Sequence, residues 1–325
     1  MSVQPAQPLG PADVFSRGFG LWWRNWRPMA AATLVVVVPM QVLNIAVIFA
    51  IFPGYLDMIK AYPKMFAAMQ ETMQKAASHP GSAQNLNAQM QAQMQSFYGP
   101  DQPSFSLLAV GELLIYLLAA VTIAMVMGAV LEIAGRSLAG AQANWREALS
   151  NAVGRVVGIG VMLVVAWILL GILAVVTFFL LGLPALWLLV AWIVAIPVLI
   201  FEDLRNFAAL SRSFQLVRHR WWPTFGALIL VTLVQMAVII PLAVPYILGL
   251  FLGWNLTLTL VIATVTGLIS TVITYPLLST VLLSIYLDLR LRKDGTVPEP
   301  GPDGSITWRQ VMATPPPAAP DLPST

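Results

Sequence analysis

Two stretches of this chain carry no formal charge at all, Val156 to Phe201 and Pro223 to Leu287. A helix needs about 20 mostly apolar residues to cross a hydrocarbon core about 30 Å thick. Each stretch is therefore long enough for more than one crossing, and in lipid a helix pairs every backbone N–H and C=O within its own segment. Hydrophobic residues make up 58% of the chain and charged residues 10%, against about 45–50% and about 25% in soluble domains. A soluble fold is excluded.

Gly182-Leu183-Pro184 is a tight-turn signal that divides the first stretch in two. Charge divides the second, because Lys and Arg favour the cytoplasmic ends of spans. Arg218 and Arg220 precede it, and Arg290, Arg292 and Lys293 follow it. Basic clusters at both ends require an even number of crossings, hence two, with the break near Gly249 to Asn255. Two further apolar runs complete six expected spans, at 29–52, 105–131, 156–181, 185–201, 224–246 and 257–287. Every arginine then falls on one side, and only Lys60, Lys64 and Lys75, in the 53–104 loop, fall on the other.

The expected fold is all-α: a polytopic membrane protein of six transmembrane helices, with cytoplasmic interfacial amphipathic helices and an extracytoplasmic helical hairpin. Residues 12–293 form the membrane domain. Residues 1–11 are a disordered Pro/Gln/Gly-rich N-terminus, and residues 294–325 are a Pro-rich cytoplasmic tail, disordered or extended. The expected location is the cell (inner) membrane, multi-pass, with both termini cytoplasmic. No cleavable leader is expected, since the segment before the first apolar run contains Pro, Asp and Trp and the run itself is too long for a signal core.

A repeated element precedes the spans. Residues 15–28 and 210–223 share Ser16/Ser211, Arg17/Arg212, Phe19/Phe214, Leu21/Leu216, Trp26/Trp221 and Pro28/Pro223. Phe15, Phe19, Trp22 and Trp26 in one copy, and Leu210, Phe214, Val217 and Trp221 in the other, follow the spacing of one helix face. Leu149, Val153 and Val156 form a weaker third copy. Three units result, each an interfacial helix plus two spans. Arginines on one face and aromatic rings on another suit a headgroup boundary. Arg17, Arg24, Arg212, Arg218, Trp26 and Trp221 are the candidate inner-face contacts for membrane lipids or a protein partner.

Glu112 is the one acid well inside a span, and Asn44 lies at similar depth in the first span. Buried acids in lipid are costly and usually paired, so a Glu112–Asn44 contact, with Gln41 or Tyr116 nearby, is the candidate intramembrane polar pair. Pro39, Pro197, Pro241, Pro245 and Pro276 fall in or near spans and free backbone carbonyls. The hydroxyls of the sixth span, from Thr264 to Tyr275, read as close helix packing.

The outer loop carries Tyr62, Phe66, Met69 and Met73, then Leu86, Met90, Met94 and Phe97, each set at helical spacing on either side of Ser78-His79-Pro80-Gly81-Ser82. A helical hairpin follows from that pattern, with its thioethers read as packing residues rather than Cu(I) ligands. There is no cysteine, and His79 and His219 are the only histidines, so thiolate sites are excluded and no metal or cofactor is expected. The sequence lacks H-E-x-x-H, G-x-S-x-G, phosphate-loop and dinucleotide signatures. Basic residues cluster at the ends of apolar runs, where lipid headgroups lie, and nucleic acid is not an expected partner.

The stretch from Glu202 to Asn206, followed by Ala208 to Leu216 and Trp221-Trp222, resembles the bacterial membrane domain associated with glycerophosphoryl diester phosphodiesterases. The ending Ser284 to Gly295 and the opening Asp13 to Phe19 are similar to the same family. The resemblance implies a six-helix membrane module; where family members hydrolyse phosphodiesters, a separate soluble barrel does so. The expected role is that of a non-enzymatic multi-pass integral membrane protein, related to lipid or envelope physiology or accessory to a partner protein. The alternative is a small secondary transporter using the carboxylate of Glu112.

Overall fold

The computed structural model describes residues 9–52, 54–55, 60, 67–68, 70–72, 74, 105–142, 144–178, 182–204, 207–300 and 306–310. In the 53–104 loop, the positions on which the expected hairpin rests, its methionines and His79 among them, lie outside the described residues, as do the first eight residues, Arg205, Asn206 and the tail beyond 310.

The chain is an all-α polytopic membrane protein, with six helical segments long and apolar enough to cross a bilayer. In chain order the helices are α1 (Pro11–Arg24), α2 (Trp26–Ile51), α3 (Phe105–Leu138), α4 (Trp145–Val176), α5 (Leu183–Ala191), α6 (Ala195–Glu202), α7 (Phe207–Val217), α8 (Trp221–Phe251) and α9 (Leu256–Asp294). The spans are α2, α3, α4, α5 with α6, α8 and α9.

Local chemistry sets the boundaries. Pro11 opens α1 where its missing N–H costs nothing, and the Asp13 carboxylate accepts from Gly10 N at 3.1 Å. Asn25 ends α1 by donating Nδ2–H to Leu21 O at 2.9 Å, and α2 starts at the next residue. Asn144 and Asn255 open α4 and α9 as side-chain acceptors, from Arg146 N at 3.0 Å and Thr257 N at 2.9 Å. Gly182, at φ 65°, leads into α5, a conformation that is strained for a residue with a Cβ.

Of the five span prolines, four sit inside continuous helices, and only Pro197 accompanies a break. The fourth span is two short helices separated by a turn at 192–194. Proline lacks the N–H that would bond the carbonyl four residues back, and its ring crowds that carbonyl. Here that residue is Ile193, in the turn.

The third copy of the repeat is not a separate helix. α4 runs unbroken from Trp145 to Val176, so the lead-in segment and the span are continuous. Its buried residues include Ala148, Ala152 and Ile159, none of them in the repeat pattern of Leu149, Val153 and Val156, and Val153 is 52% exposed. Within the tail expected to be extended or disordered, β1 (Thr296–Pro300) and β2 (Ile306–Gln310) pair antiparallel, with Thr296 opposite Gln310. Both strands are edges, which is where Pro298 and Pro300 are tolerated.

The chain divides into two compact units. The first comprises residues 1–36, 120–237 and 271–325. Its core holds Met29, Leu131, Ile133, Ile159, Met162, Leu277, Leu283 and Tyr286, all fully buried. The second comprises residues 37–119 and 238–270 and presents long apolar side chains such as Val42, Leu113, Ile240 and Val261 on its surface. An apolar surface of that kind suits hydrocarbon as its solvent.

Candidate functional site

The repeat is built on small residues. Taking Phe15, Leu149 and Leu210 as equivalent, the preceding residues Val14, Ala148 and Ala209 are all buried, and so are Gly18, Ala152 and Ser213 three positions on. A Cβ on Gly18 would lie 2.7 Å from the Cα of Val281 in α9. A Cβ on Gly128 of α3 would lie 3.1 Å from the Ala152 Cβ. Ser213 donates its hydroxyl hydrogen to Ala191 O, at the end of α5, at 2.9 Å. Each lead-in helix thus packs through a small residue against the even-numbered span that precedes it, the sixth span serving the first helix.

Carboxylates at the ends of those spans tie the same pairs together. Glu132, near the end of α3, accepts from Asn151 Nδ2 at 3.2 Å, from Arg136 Nε at 3.1 Å and from Arg155 Nη1 at 3.4 Å. Glu202, at the end of α6, accepts from Arg212 Nε at 2.9 Å and from the Tyr286 hydroxyl at 3.1 Å. Asp288, near the end of α9, accepts from Arg292 Nε at 2.8 Å and from Leu9 N at 3.4 Å, while Arg292 donates to Leu9 O at 3.0 Å. Asn151 and Arg212 occupy equivalent positions of the repeat, so one geometry recurs with different donors.

The Glu202 cluster is the densest. Asp294 accepts from Arg212 Nη2, and its carboxylate lies 3.7 Å from Arg290 Nε. Arg290 donates to the Tyr286 oxygen at 2.6 Å and to Thr296 Oγ1 at 3.1 Å, reaching the start of β1. Tyr286 is fully buried with its ring stacked on Phe201, 6.0 Å between centroids. Burial of Arg212 opposes its charge, but hydrogen bonds and attraction from Glu202 and Asp294 outweigh that and hold the guanidinium above its ordinary value. No buried side-chain polar atom among the described residues lacks a partner. These charged groups are satisfied by one another, as charges out of bulk water must be.

The candidate contacts fare unequally. Arg212 is committed to the cluster, whereas its repeat equivalent Arg17 is exposed, with no ion pair or hydrogen bond among the described residues. Arg24 is exposed and donates to Ser137 Oγ at 3.3 Å; Arg218 is exposed. Trp26 is 49% exposed with the Arg27 guanidinium 5.6 Å from its ring centre. Trp221 donates Nε1–H to Trp187 O at 3.0 Å and stacks on Phe225.

Glu112 and Asn44 are not brought together. Glu112 is exposed, Asn44 is half-buried, and no hydrogen bond joins them among the described residues. A Cβ on Gly111 would meet the Ile51 side chain, which sets Glu112 near the level of Ile51. Asn44 lies seven residues earlier, about 10 Å along the helix at about 1.5 Å per residue. The shared depth expected from counting in from each span end therefore does not hold. Gln41 and Tyr116 are exposed as well. Among the described residues no group of three His, Asp or Glu side chains could hold a metal ion.

Sequence reading missed Glu132, Asn151, Tyr286, Arg290 and Asp294. One signal was present: Glu132 and Glu202 each close an even-numbered span shortly before a lead-in segment. Comparisons with family models, with curated proteins and with solved structures returned no match in any of the three.

Proposed function

We propose that this chain is a non-enzymatic module of the bacterial inner membrane, with both termini cytoplasmic, serving lipid or envelope physiology or acting as an accessory to a partner protein. The observation that carries this reading is how the charges at the basic end are spent. Glu132, Glu202 and Asp288 each bind a lead-in segment to the preceding span. Acids committed to arginine in this way serve architecture rather than proton transfer. Clustering of the arginines at this end also supports its cytoplasmic placement.

The resemblance to the phosphodiesterase-associated membrane domain gains a physical content. Glu202, Arg212, Tyr286, Asp288, Arg290 and Arg292 lie in the segments that carry it, and they are residues of these ties. Gly18, in the opening segment, is the close-packed residue of α1. The resemblance is proposed as one of bundle assembly, not of activity.

The test is purification from native membranes with identification of retained lipids and proteins, alongside reporter fusions near positions 85 and 310. The reading expects enrichment of a lipid class or a stoichiometric partner, with position 85 outside and position 310 inside. Reversed reporters, or a purified protein that turns over an added lipid, would overturn it.

A further inference from the structure

The helix α1 has three faces, not two. At about 100° per residue, Val14, Gly18 and Leu21 form the buried face. A ladder of rings occupies a second: Phe15, Phe19, Trp22 and Trp23 are linked at centroid distances of 5.4 to 6.3 Å. Trp23 in this ladder is 63% exposed. Arg17 and Arg24, two turns apart, lie on the third face, and Arg27 follows at the start of α2. All three arginines are exposed.

The other copy of the repeat shows what this face lacks. In α7 the equivalent of Phe19 is Phe214, covered by Trp187 at 5.4 Å, and the equivalent of Arg17 is Arg212, neutralised by Glu202 and Asp294. No described element covers the ladder of α1 in the same way. The only acid in α1, Asp13, is bonded to the Gly10 N–H. One copy of a common design is thus closed, and the other presents rings on one face and, on another, cations with no acid partner among the described residues.

We infer that α1 is a docking helix for anionic phospholipid headgroups of the inner leaflet, its rings seated at the acyl boundary and Arg17, Arg24 and Arg27 at the phosphates. Charge complementarity selects the occupant. Guanidinium groups on one helix face and exposed aromatic rings on another match a negatively charged headgroup attached to hydrocarbon better than a neutral lipid. This inference rests on the reading of the chain as a lipid-associated membrane module, and it names the lipid class.

The test is binding of fluorescent phosphatidylglycerol and phosphatidylcholine to the purified full chain in neutral detergent. Wild type is expected to prefer phosphatidylglycerol, and millimolar inorganic phosphate is expected not to displace it. Replacing Arg17, Arg24 and Arg27 together by Gln should weaken phosphatidylglycerol binding about a hundredfold, at about fivefold per arginine near an anionic surface. Phosphatidylcholine binding should stay unchanged. The control pair Arg146→Gln with Arg220→Gln, two exposed arginines outside α1 and outside the candidate lipid contacts, should leave the preference intact. Equal binding of the two lipids, an equal loss in the control, or displacement by free phosphate overturns the inference. Retained phosphatidylcholine without selectivity sinks this inference alone, whereas no retention of either lipid removes the lipid-related reading of function with it.

Discussion

Arg212 donates its Nε–H to Glu202 Oε2 at 2.9 Å, fastening the helix that leads into the fifth span to the end of the fourth. Asn151 does the same to Glu132 at 3.2 Å, one repeat earlier. These two bonds show that the recurring sequence element is a docking unit. Its polar position meets a carboxylate, and the small residue that follows it on the buried face, Ser213 or Ala152, meets the span itself.

Removing Arg212 leaves Glu202 and Asp294 with Arg290 alone as an ion-pair partner among the described residues, at 3.6 and 3.7 Å. Arg212→Ala is expected to lower stability by about 3 kcal/mol, the lower end of the range for breaking a buried ion pair. Unfolding of the purified protein in detergent checks this. Adding Glu202→Ala should cost much less than the sum of the two single changes, because both act on one network. Strict additivity would show that the pair contributes nothing.

Tyr286 lies between Glu202 and Arg290 with its ring on Phe201. Tyr286→Phe keeps the stack and deletes both hydrogen bonds, and a loss of about 1–3 kcal/mol is expected for the groups left behind. A change within experimental error would mean that the hydroxyl is dispensable to the cluster.

Two glycines of α1 make opposite predictions. A side chain at Gly18 would collide with the backbone of Val281, so Gly18→Val should destabilise by about 1–3 kcal/mol, as overpacking does. Gly20 has nothing within 4 Å of its would-be Cβ, and Gly20→Ala should be neutral or stabilising by up to about 1 kcal/mol through helix propensity. Thermal unfolding of both variants in one detergent separates the cases.

Glu112 is exposed and unbonded to Asn44, so Glu112→Gln and Asn44→Ala should act independently, their double variant matching the summed effects within about 0.5 kcal/mol. A coupling well above that would restore the intramembrane pair.

Six spans and their approximate ends were legible because charge-free runs and arginine placement are one-dimensional signals. The repeat was legible through identities such as Ser16/Ser211 and Arg17/Arg212. The ring face of Phe15, Phe19 and Trp22 was legible as an interfacial face, but the face that packs on protein, Val14, Gly18 and Leu21, was not. Hydrophobicity cannot separate those faces when the solvent is itself apolar; residue size can. The Glu112–Asn44 pairing failed for a different reason. Depth was counted from each span end, and α3 runs several residues past the level of Ile51 before meeting it at Gly111.

The central claim is that α1 closes the repeat by packing on the last span. The chain has no cysteine, so disulfide trapping in native membranes is free of background. Gly18→Cys with Val281→Cys should cross-link under mild oxidation, while Gly20→Cys with Val281→Cys should not. Equal cross-linking of both pairs, or none at 18 and 281 in folded protein, would contradict the account.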